Sequence, residues 1–576
     1  MEHANVSEPG PLPWVLAGHD RGDLRARARE LRTRVAASPP ERLASLAAEA
    51  AAWVEPLPQR AVVFASTGGE ALRELDDLAS GTPGPGAVLG EARDEARVAF
   101  VFSPFRSEYR GMALGLAERY PTFAKALRDC EEALEPLLEW SLADALHGRE
   151  VTPPFTRLDV SQLLLLAVAT ALAELWRDFG VRPDAVLGHS VGEIAAAATC
   201  GALDSEDAAR LAVTWGRSTM RLEEAGAMAS VPLSAAETER RLEPWRDQLA
   251  IAGRNAPRLT AVSGETEAIE GLLAQLADEG IRARPMGINT PGHSARMAPI
   301  DAWFQEELVT ISPRPSTIPF HSGVEGGRVD TRRLDVAYWS RNLRQPVLFE
   351  AAIRSLREAG TTAFLEIGPR PVLTDAIAET LGDGGQAVVA GGWDQGELGQ
   401  FHLAVADAHV HGIEVDWSPL FRDPPAPTGK PAAAGPSLAQ RLGELPERKR
   451  ERLLLGLVRE KAAAVLGHGS PAAIDPGRTF KDLGFDSRLA VELRNGLNRA
   501  TGLILSTTLV FDYPTPRAVA GRIRLELEGR AGQVAVGDAN EADGGKAVAE
   551  ALREIDGLDL TALVERGLGG DLAGRE

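Results

Sequence analysis

The stretch AVLGHSVGEIAA, residues 185–196, decides how the chain is read. An apolar run (AVL) leads into a serine flanked by glycines, and an alanine-rich run follows it. That order gives a strand, a tight turn and a helix, the nucleophile elbow that holds a serine oxygen out at the head of a sheet. Gly188 and Gly192 are what such a turn needs, because a side chain at either would strike the neighbouring backbone. The helix start adds amide N–H groups and a positive dipole end beside the serine oxygen. A chain with 58 glycines contains G-x-S-x-G patterns by chance, but His189, Glu193 and the preceding strand set this one apart. Ser190 is the candidate nucleophile, and its acyl group goes either to water or to another acceptor.

Composition bounds what surrounds it. At 576 residues the chain is too long for one ordinary domain, so two to four units are expected. An apolar fraction of 44% fits a globular protein. The formal charge of -20 repels nucleic acid and anionic membrane and makes neither an expected partner. Two cysteines, Cys130 and Cys200, form no disulfide framework and no metal-ligand spacing, which suits a reducing cytoplasm. The N-terminus has no basic-then-apolar leader pattern, and LLLLAVATALAEL at 163–175 is short for a bilayer and reads as a buried helix.

Along the chain the pattern changes several times. Residues 1–95 hold PWVLAG, an arginine-rich helical pattern, RAVVFAS and a second helix, a small α/β unit. From 96 to 400, short β-rich runs (RVAFVFS, DAVLGHS, TAVSG, IPFHSG, TAFLEIG, QAVVAGG) alternate with amphipathic helices, the sign of an α/β fold on a mainly parallel sheet. DPPAPTGKPAAAGPS, 423–437, reads as a flexible linker. A compact helical unit fills 438–525, and after a polar, glycine-rich stretch the tail (526–576) regains helical spacing.

The unit after the linker bears on the fate of the acyl group. LGFDSRLAVELRNGLNRATGL, 483–503, puts Ser487 at a helix start, with Leu489, Val491, Leu493 and Leu497 placed to pack that helix. Together with VFDYPTPRAVA, 510–520, it resembles the acyl carrier proteins, whose serine after an aspartate bears 4'-phosphopantetheine. Taken alone, the Asp-Ser pair is also a good helix cap. Arg488 stands where the family usually has leucine.

With a carrier downstream, residues 96–400 resemble the acyltransferases of modular type I polyketide synthases and the malonyl-CoA:carrier-protein transacylases. The resemblance implies an α/β-hydrolase-like core with a smaller ferredoxin-like subdomain at about 228–293. Residues 1–95 are similar to the linker domain that joins a ketosynthase to its acyltransferase, 401–422 to the segment after it, and 438–525 to a helical-bundle carrier. An acyltransferase and carrier beginning at the linker is the arrangement of a loading module, which selects a starter unit. On this resemblance Ser190 is the nucleophile and His293, in NTPGHSARM, its base. The backbone carbonyl of Asn342 orients that base, and the N–H groups of Val191 and Phe105 form the oxyanion hole. Phe105 falls in FSPFRSEYRGM, where the family has a glycine-rich loop, and Arg370 stands where the family commonly has histidine.

For substrate binding, Arg217 in TWGRSTM matches the arginine that grips a malonyl-type carboxylate, with His189, Thr290, Pro291 and Gly292 lining the acyl group. Loading acyltransferases that take monocarboxylic starters generally lack that arginine, and a glycine at 292 removes bulk. The expectation is a dicarboxylic starter larger than methylmalonyl, as in a loading module of borrelidin type. The implied partners are an acyl-CoA or other acyl thioester, a phosphopantetheinyl transferase and a downstream synthase subunit met by a C-terminal docking helix at about 546–566. A malonyl- or methylmalonyl-type extender acyltransferase, a serine thioesterase and a non-catalytic scaffold are the alternative readings.

Overall fold

A computed structural model describes most residues between 11 and 525. Outside the described residues are 1–10, 423–446, 526–576 and shorter runs including 105–106, 223–225, 390–396, 467–473, 486–488 and 502–508. The expected linker at 423–437, the docking helix, Phe105, Ser487 and Arg488 fall there. Residues 1–428 form one compact unit and 429–576 a second.

The described residues of the first unit form three sheets. The central one has six strands in the order β11-β10-β5-β4-β12-β13. These are β4 (Val98–Phe102), β5 (Ala185–Gly188), β10 (Phe320–Ser322), β11 (Gly327–Val329), β12 (Ala363–Ile367) and β13 (Ala387–Val389). All pair in parallel except the edge strand β11. Every side chain of VAFVF and AFLEI is buried, the continuous apolar run of a parallel sheet covered on both faces. In register, Phe102 lies beside both Gly188 and Ile367, so β4, β5 and β12 end together. The loops that follow them, SPFRSEY, GHSVGE and GPRPVL, therefore leave from one edge, where open α/β sheets hold their ligands.

A four-stranded antiparallel sheet, β7-β8-β6-β9, comprises β6 (Ala227–Val231), β7 (Leu249–Ala256), β8 (Leu259–Gly264) and β9 (Arg284–Pro285). One helix joins β6 to β7 and another joins β8 to β9, a β-α-β-β-α-β order. The backbone of β7 is bolted to the main body through Val347, whose N–H donates to Ala252 O at 2.9 Å and whose carbonyl accepts from Arg254 N at 2.8 Å.

The third sheet, β1 (Leu12–Gly18), β2 (Gln59–Ala65) and β3 (Ala87–Glu91), has its own core around Trp14, Leu24, Leu31 and Leu75. Its other face does not stand alone: Val15 and Val62 join the large apolar core that also holds Phe100, Phe102 and Val186 of the six-stranded sheet. A boundary expected at 400/401 is corrected here. The helix Glu397–Val410 runs through it and buries Phe401 edge-on against Tyr120, Trp176 and Phe179, with centroids 5.2 to 5.9 Å apart. Residues 401–422 are thus a packed wedge, with helix Ser418–Phe421 at their end, because their apolar spacing finds both bodies.

The apolar run at 163–175 belongs to a longer helix, Leu158–Asp178, which at 21 residues is long and apolar enough to cross a membrane. Here Leu164, Val168, Leu172 and Trp176 line its fully buried face. Cys130 and Cys200 are both free thiols.

The second unit has a core of Leu454, Val458, Ile474, Phe480, Ala490, Leu493, Leu497, Val519 and Ile523. Leu493 and Leu497 pack as their spacing requires, Leu489 is half-buried, and Val491 lies outside the described residues.

The wedge helix generates a test. His402 and His409 are buried in it, and burial, followed by the nearby Arg119 and Arg60 guanidiniums respectively, holds them at about 4 and about 3. Both lie below the ordinary imidazole value, so the unfolded chain binds protons first. Stability is unaffected above about pH 7 and falls as pH drops through 6.5 toward 4. Neither ring nitrogen of His409 has a partner among the described residues. His409→Leu should therefore flatten the loss of melting temperature between pH 7.5 and 5; an undiminished loss would place the acid sensitivity elsewhere.

Candidate active site

Ser190 sits between β5 and the helix Gly192–Thr199 with φ +56°, in the left-handed region. The turn closes because both flanking residues lack side chains: a Cβ on Gly188 would lie 2.2 Å from Glu193 N, and one on Gly192 would lie 2.5 Å from Phe102 O. Among the described residues only three non-glycines have positive φ, and His293 (φ +55°) is another of them. Strain of this kind persists only where surrounding structure over-determines it. His293 is held by its N–H to Leu343 O at 2.9 Å, while Ser294 Oγ, donating to Pro291 O at 2.6 Å, pins the turn before it.

The two strained residues meet. Ser190 Oγ and His293 Nε2 are 2.6 Å apart and buried, and Nδ1 lies 3.1 Å from Gln345 O. A carbonyl only accepts, so Nδ1 carries the proton and Nε2 is free to take the serine's. The expected carbonyl at this point was that of Asn342. The hydrogen bond runs instead to Gln345, with the Asn342 carbonyl a lesser support of the same ring. Burial above all, then the neighbouring His189 ring, holds His293 down at about 4 against these two carbonyls. The base is neutral at any ordinary pH.

The amides of Gly192, Glu193 and Ile194 are committed to the carbonyls of His189, Ser190 and Val191. That leaves the Val191 N–H without an acceptor among the described residues, beside Ser190, as an oxyanion donor must be.

Glu193 of GHSVGE is a fully buried hub that the sequence marked but did not explain. Its carboxyl accepts from the Gly323 N–H, from Tyr338 Oη at 2.6 Å and from Asn342 Nδ2 at 2.9 Å. Burial pushes it up to about 7 against those donors. A second buried acid, Glu366 on β12, takes Ser103 Oγ at 2.7 Å and the amides of Val372, Leu373 and Thr374, which ties the SPFRSEY and GPRPVL loops together. Arg370 lies over the Tyr109 ring at 5.0 Å, joining the two altered loops of the sequence.

The acyl-binding expectations divide. Thr290 and Pro291 are buried and Gly292 half-buried beside the base. A Cβ on Gly292 would meet only Met228 Sδ, at 3.6 Å, so space is left there rather than demanded. The His189 ring packs on Phe349 and its Nε2 pairs with Asn255 Oδ1 at 2.9 Å, which makes it a bolt between the two sheets.

Arg217 is a correction. It is exposed on helix Ser205–Met220 and donates to Leu137 O at 3.0 Å, away from the serine. Trp215 takes the inward place: it is 3% exposed, and its Nε1 donates to Asn342 Oδ1 at 3.2 Å while Asn342 Nδ2 reaches Ser190 O at 3.4 Å. Two positions along a helix differ by about 200°, so 215 and 217 cannot share a face. The available signal was the buried stripe Leu211, Trp215, Thr219 at helical spacing.

An activated serine, a neutral histidine held by a carbonyl and an open amide make an acyl-transfer site of the serine type. The acyl transferase domain family matches residues 99–415, and the phosphopantetheine attachment site family matches 456–523. The chain belongs to the acyltransferase family and is an acyltransferase joined to a carrier domain of a modular type I polyketide synthase, the carrier bearing covalent 4'-phosphopantetheine. It is 40% identical over 516 residues to the spectinabilin polyketide synthase system protein NorC of Streptomyces orinoci, covering 83% of this chain and 23% of that protein. Its structure is similar to the acyltransferase domain from module 8 of the salinomycin polyketide synthase (37% identity, TM-score 0.67), covering 71% of this chain and 98% of that one. It is also similar to a loading acyltransferase from the avermectin modular polyketide synthase (40% identity, TM-score 0.52), covering 54% and 99%.

Two outcomes follow for the site. Only neutral His293 accepts a proton, so the rate constant for Ser190 acylation (kcat/KM) should be level from pH 8 to about 5 and halve near pH 4. Rapid-quench mass spectrometry measures this, and a midpoint near 6.5 would mean an exposed base. Arg217→Ala should leave the ratio of dicarboxylyl to monocarboxylyl thioester use within about twofold; a collapse of dicarboxylyl use would return Arg217 to the pocket.

Proposed function

We propose that the chain loads a starter unit: it takes an acyl group with an uncharged distal end from an acyl thioester such as acyl-CoA, holds it as an ester on Ser190, and passes it to its own carrier. The observation that carries this reading is the buried Trp215 indole, bonded to the Asn342 that reaches the Ser190 carbonyl, with the Arg217 guanidinium of the same helix turned outward. With Arg217 turned outward, the dicarboxylic starter and the borrelidin-type reading lose their support and are withdrawn. The likeness to a loading acyltransferase supports the starter role. The space beside Gly292 and Met228 supports an acyl group bulkier than acetyl.

Ser190 attacks the thioester carbonyl as His293 Nε2 takes its proton, and the Val191 N–H faces the developing oxyanion. The histidine returns the proton to the departing thiolate. In the second half the same histidine deprotonates the incoming carrier thiol, and Ser190 recovers its proton as it leaves.

Ser487 is the residue proposed to bear the pantetheine arm, which supplies that thiol. The described residues on either side suit it. Gly484, at φ +97°, turns the chain just before it, and Ala490, Leu493 and Leu497 are buried just after it. A phosphopantetheinyl transferase attaches the arm, and residues 546–566, with Val548, Leu552, Ile555 and Leu558 at helical spacing, are proposed to meet the downstream synthase subunit.

Intact-protein mass spectrometry of the phosphopantetheinylated chain, offered a branched monocarboxylyl-CoA and a matched dicarboxylyl-CoA, tests the proposal. Burying a carboxylate against an indole costs about 2 to 3 kcal/mol, so the monoacid should be preferred on the order of a hundredfold. Ser487→Ala should stop the acyl group at Ser190, and Ser190→Ala should leave both serines empty. Preferred use of the dicarboxylyl thioester would overturn the uncharged-starter reading, and release of free acid with an empty carrier would mark a hydrolase.

A further inference from the structure

Asn342 was expected to act through its backbone, yet its side chain touches more of the site. It is 3% exposed, on the helix Val336–Arg344. Its Oδ1 accepts from Trp215 Nε1 at 3.2 Å, and its Nδ2 donates to Glu193 Oε2 at 2.9 Å and to Ser190 O at 3.4 Å. These partners fix which way the amide points, because an indole N–H can only donate and a peptide carbonyl can only accept. Behind it, Tyr338 Oη bonds the same Glu193 oxygen at 2.6 Å and is itself 2.7 Å from Ser322 Oγ, so the anchor is rigid.

The Ser190 carbonyl is one end of a planar peptide unit whose other end is the Val191 N–H. What grips the carbonyl therefore aims the N–H. The first helical turn supplies one grip, Glu193 N to Ser190 O at 3.0 Å. With Ser190 at φ +56°, outside helical backbone, the second grip comes from Asn342.

We propose that the side-chain amide of Asn342 is a positioning residue that ties the Trp215 wall of the acyl pocket to the direction of the Val191 oxyanion donor, so that the acyl group is checked in the transition state as well as on binding. The proposal rests on the reading of Trp215 as the pocket wall. An acyl group that displaces the indole pulls Oδ1 with it, the amide turns, and the Ser190–Val191 peptide loses its second grip. A poorly fitting acyl group then costs turnover rather than affinity, since the interaction lost is one used at the transition state. A pocket that only bound its substrate would show the loss in KM.

The test is a double-mutant cycle of Trp215→Phe and Asn342→Leu, read as single-turnover acylation of Ser190 across thioester concentrations, with whichever acyl group the wild-type chain uses best. Trp215→Phe keeps a six-membered aromatic ring against the same wall but deletes the five-membered ring with its N–H, so Asn342 Oδ1 loses its donor. Removing an oxyanion donor outright costs about 10²- to 10³-fold, so a misaimed one should cost about 10- to 100-fold in the maximal rate. KM should move less than about threefold, and the double variant should be no slower than Asn342→Leu alone. Multiplying effects in the double variant, or a Trp215→Phe whose loss lies wholly in KM, would overturn the coupling. If Asn342→Leu does not fold, Trp215→Phe still decides by that split, since it leaves every bond to Glu193 in place. A wild-type preference for dicarboxylyl thioesters would sink the uncharged-starter reading alone, because the cycle is scored on rate with the best substrate.

Discussion

Everything in the acyltransferase unit is arranged around one strained turn. Ser190 is held at φ +56° because Gly188 and Gly192 let the strand and helix backbones close to distances no side chain permits. The left-handed conformation is unfavourable for serine, and the surrounding structure holds it there. The parallel sheet brings the ends of β4, β5 and β12 together, and buried Glu193 and Glu366 anchor the elbow and its neighbouring loops. The result is a serine oxygen already within 2.6 Å of a neutral base and an amide already free to meet negative charge. Little reorganisation is left for the reaction itself.

The base is positioned with the same economy. His293 is the partner strained residue, and its proton is placed by a carbonyl rather than a carboxylate. A carboxylate would stabilise an imidazolium and raise the basicity of the ring, whereas a carbonyl in a buried setting leaves the ring weakly basic, at about 4. Such a base returns its proton readily. That suits a two-way exchange between thioesters, in which the serine ester must be as easy to leave as to form.

The serine elbow was legible in the sequence because an elbow is local: strand, glycines, serine and helix follow one another within twelve residues. His293 was legible only through its motif, since 103 residues separate it from Ser190. What the sequence could not show is which side of an element faces the site. Arg217 and Trp215 occupy one short motif, and helical geometry sends them to opposite sides; the arginine drew the eye because its chemistry matched a carboxylate. Glu193, Asn342, Gln345 and Asn255 act through contacts between distant segments, and a buried carboxylate looks like any other glutamate until its four-sided surroundings are known. The boundary near 400 was misplaced for a similar reason, because the wedge helix is amphipathic toward two bodies at once and reads as a connector.

The account depends most on the direction of one amide, and a crystal structure of the Ser190 acyl-enzyme, trapped with a slowly transferred acyl group, tests it most directly. The ester carbonyl oxygen should lie about 2.7 to 3.1 Å from Val191 N. The acyl chain should run along the Trp215 indole, with Asn342 still bridging to the Ser190 carbonyl. An ester oxygen turned away from Val191 N, or an indole swung out with Arg217 brought in to the acyl terminus, would contradict it.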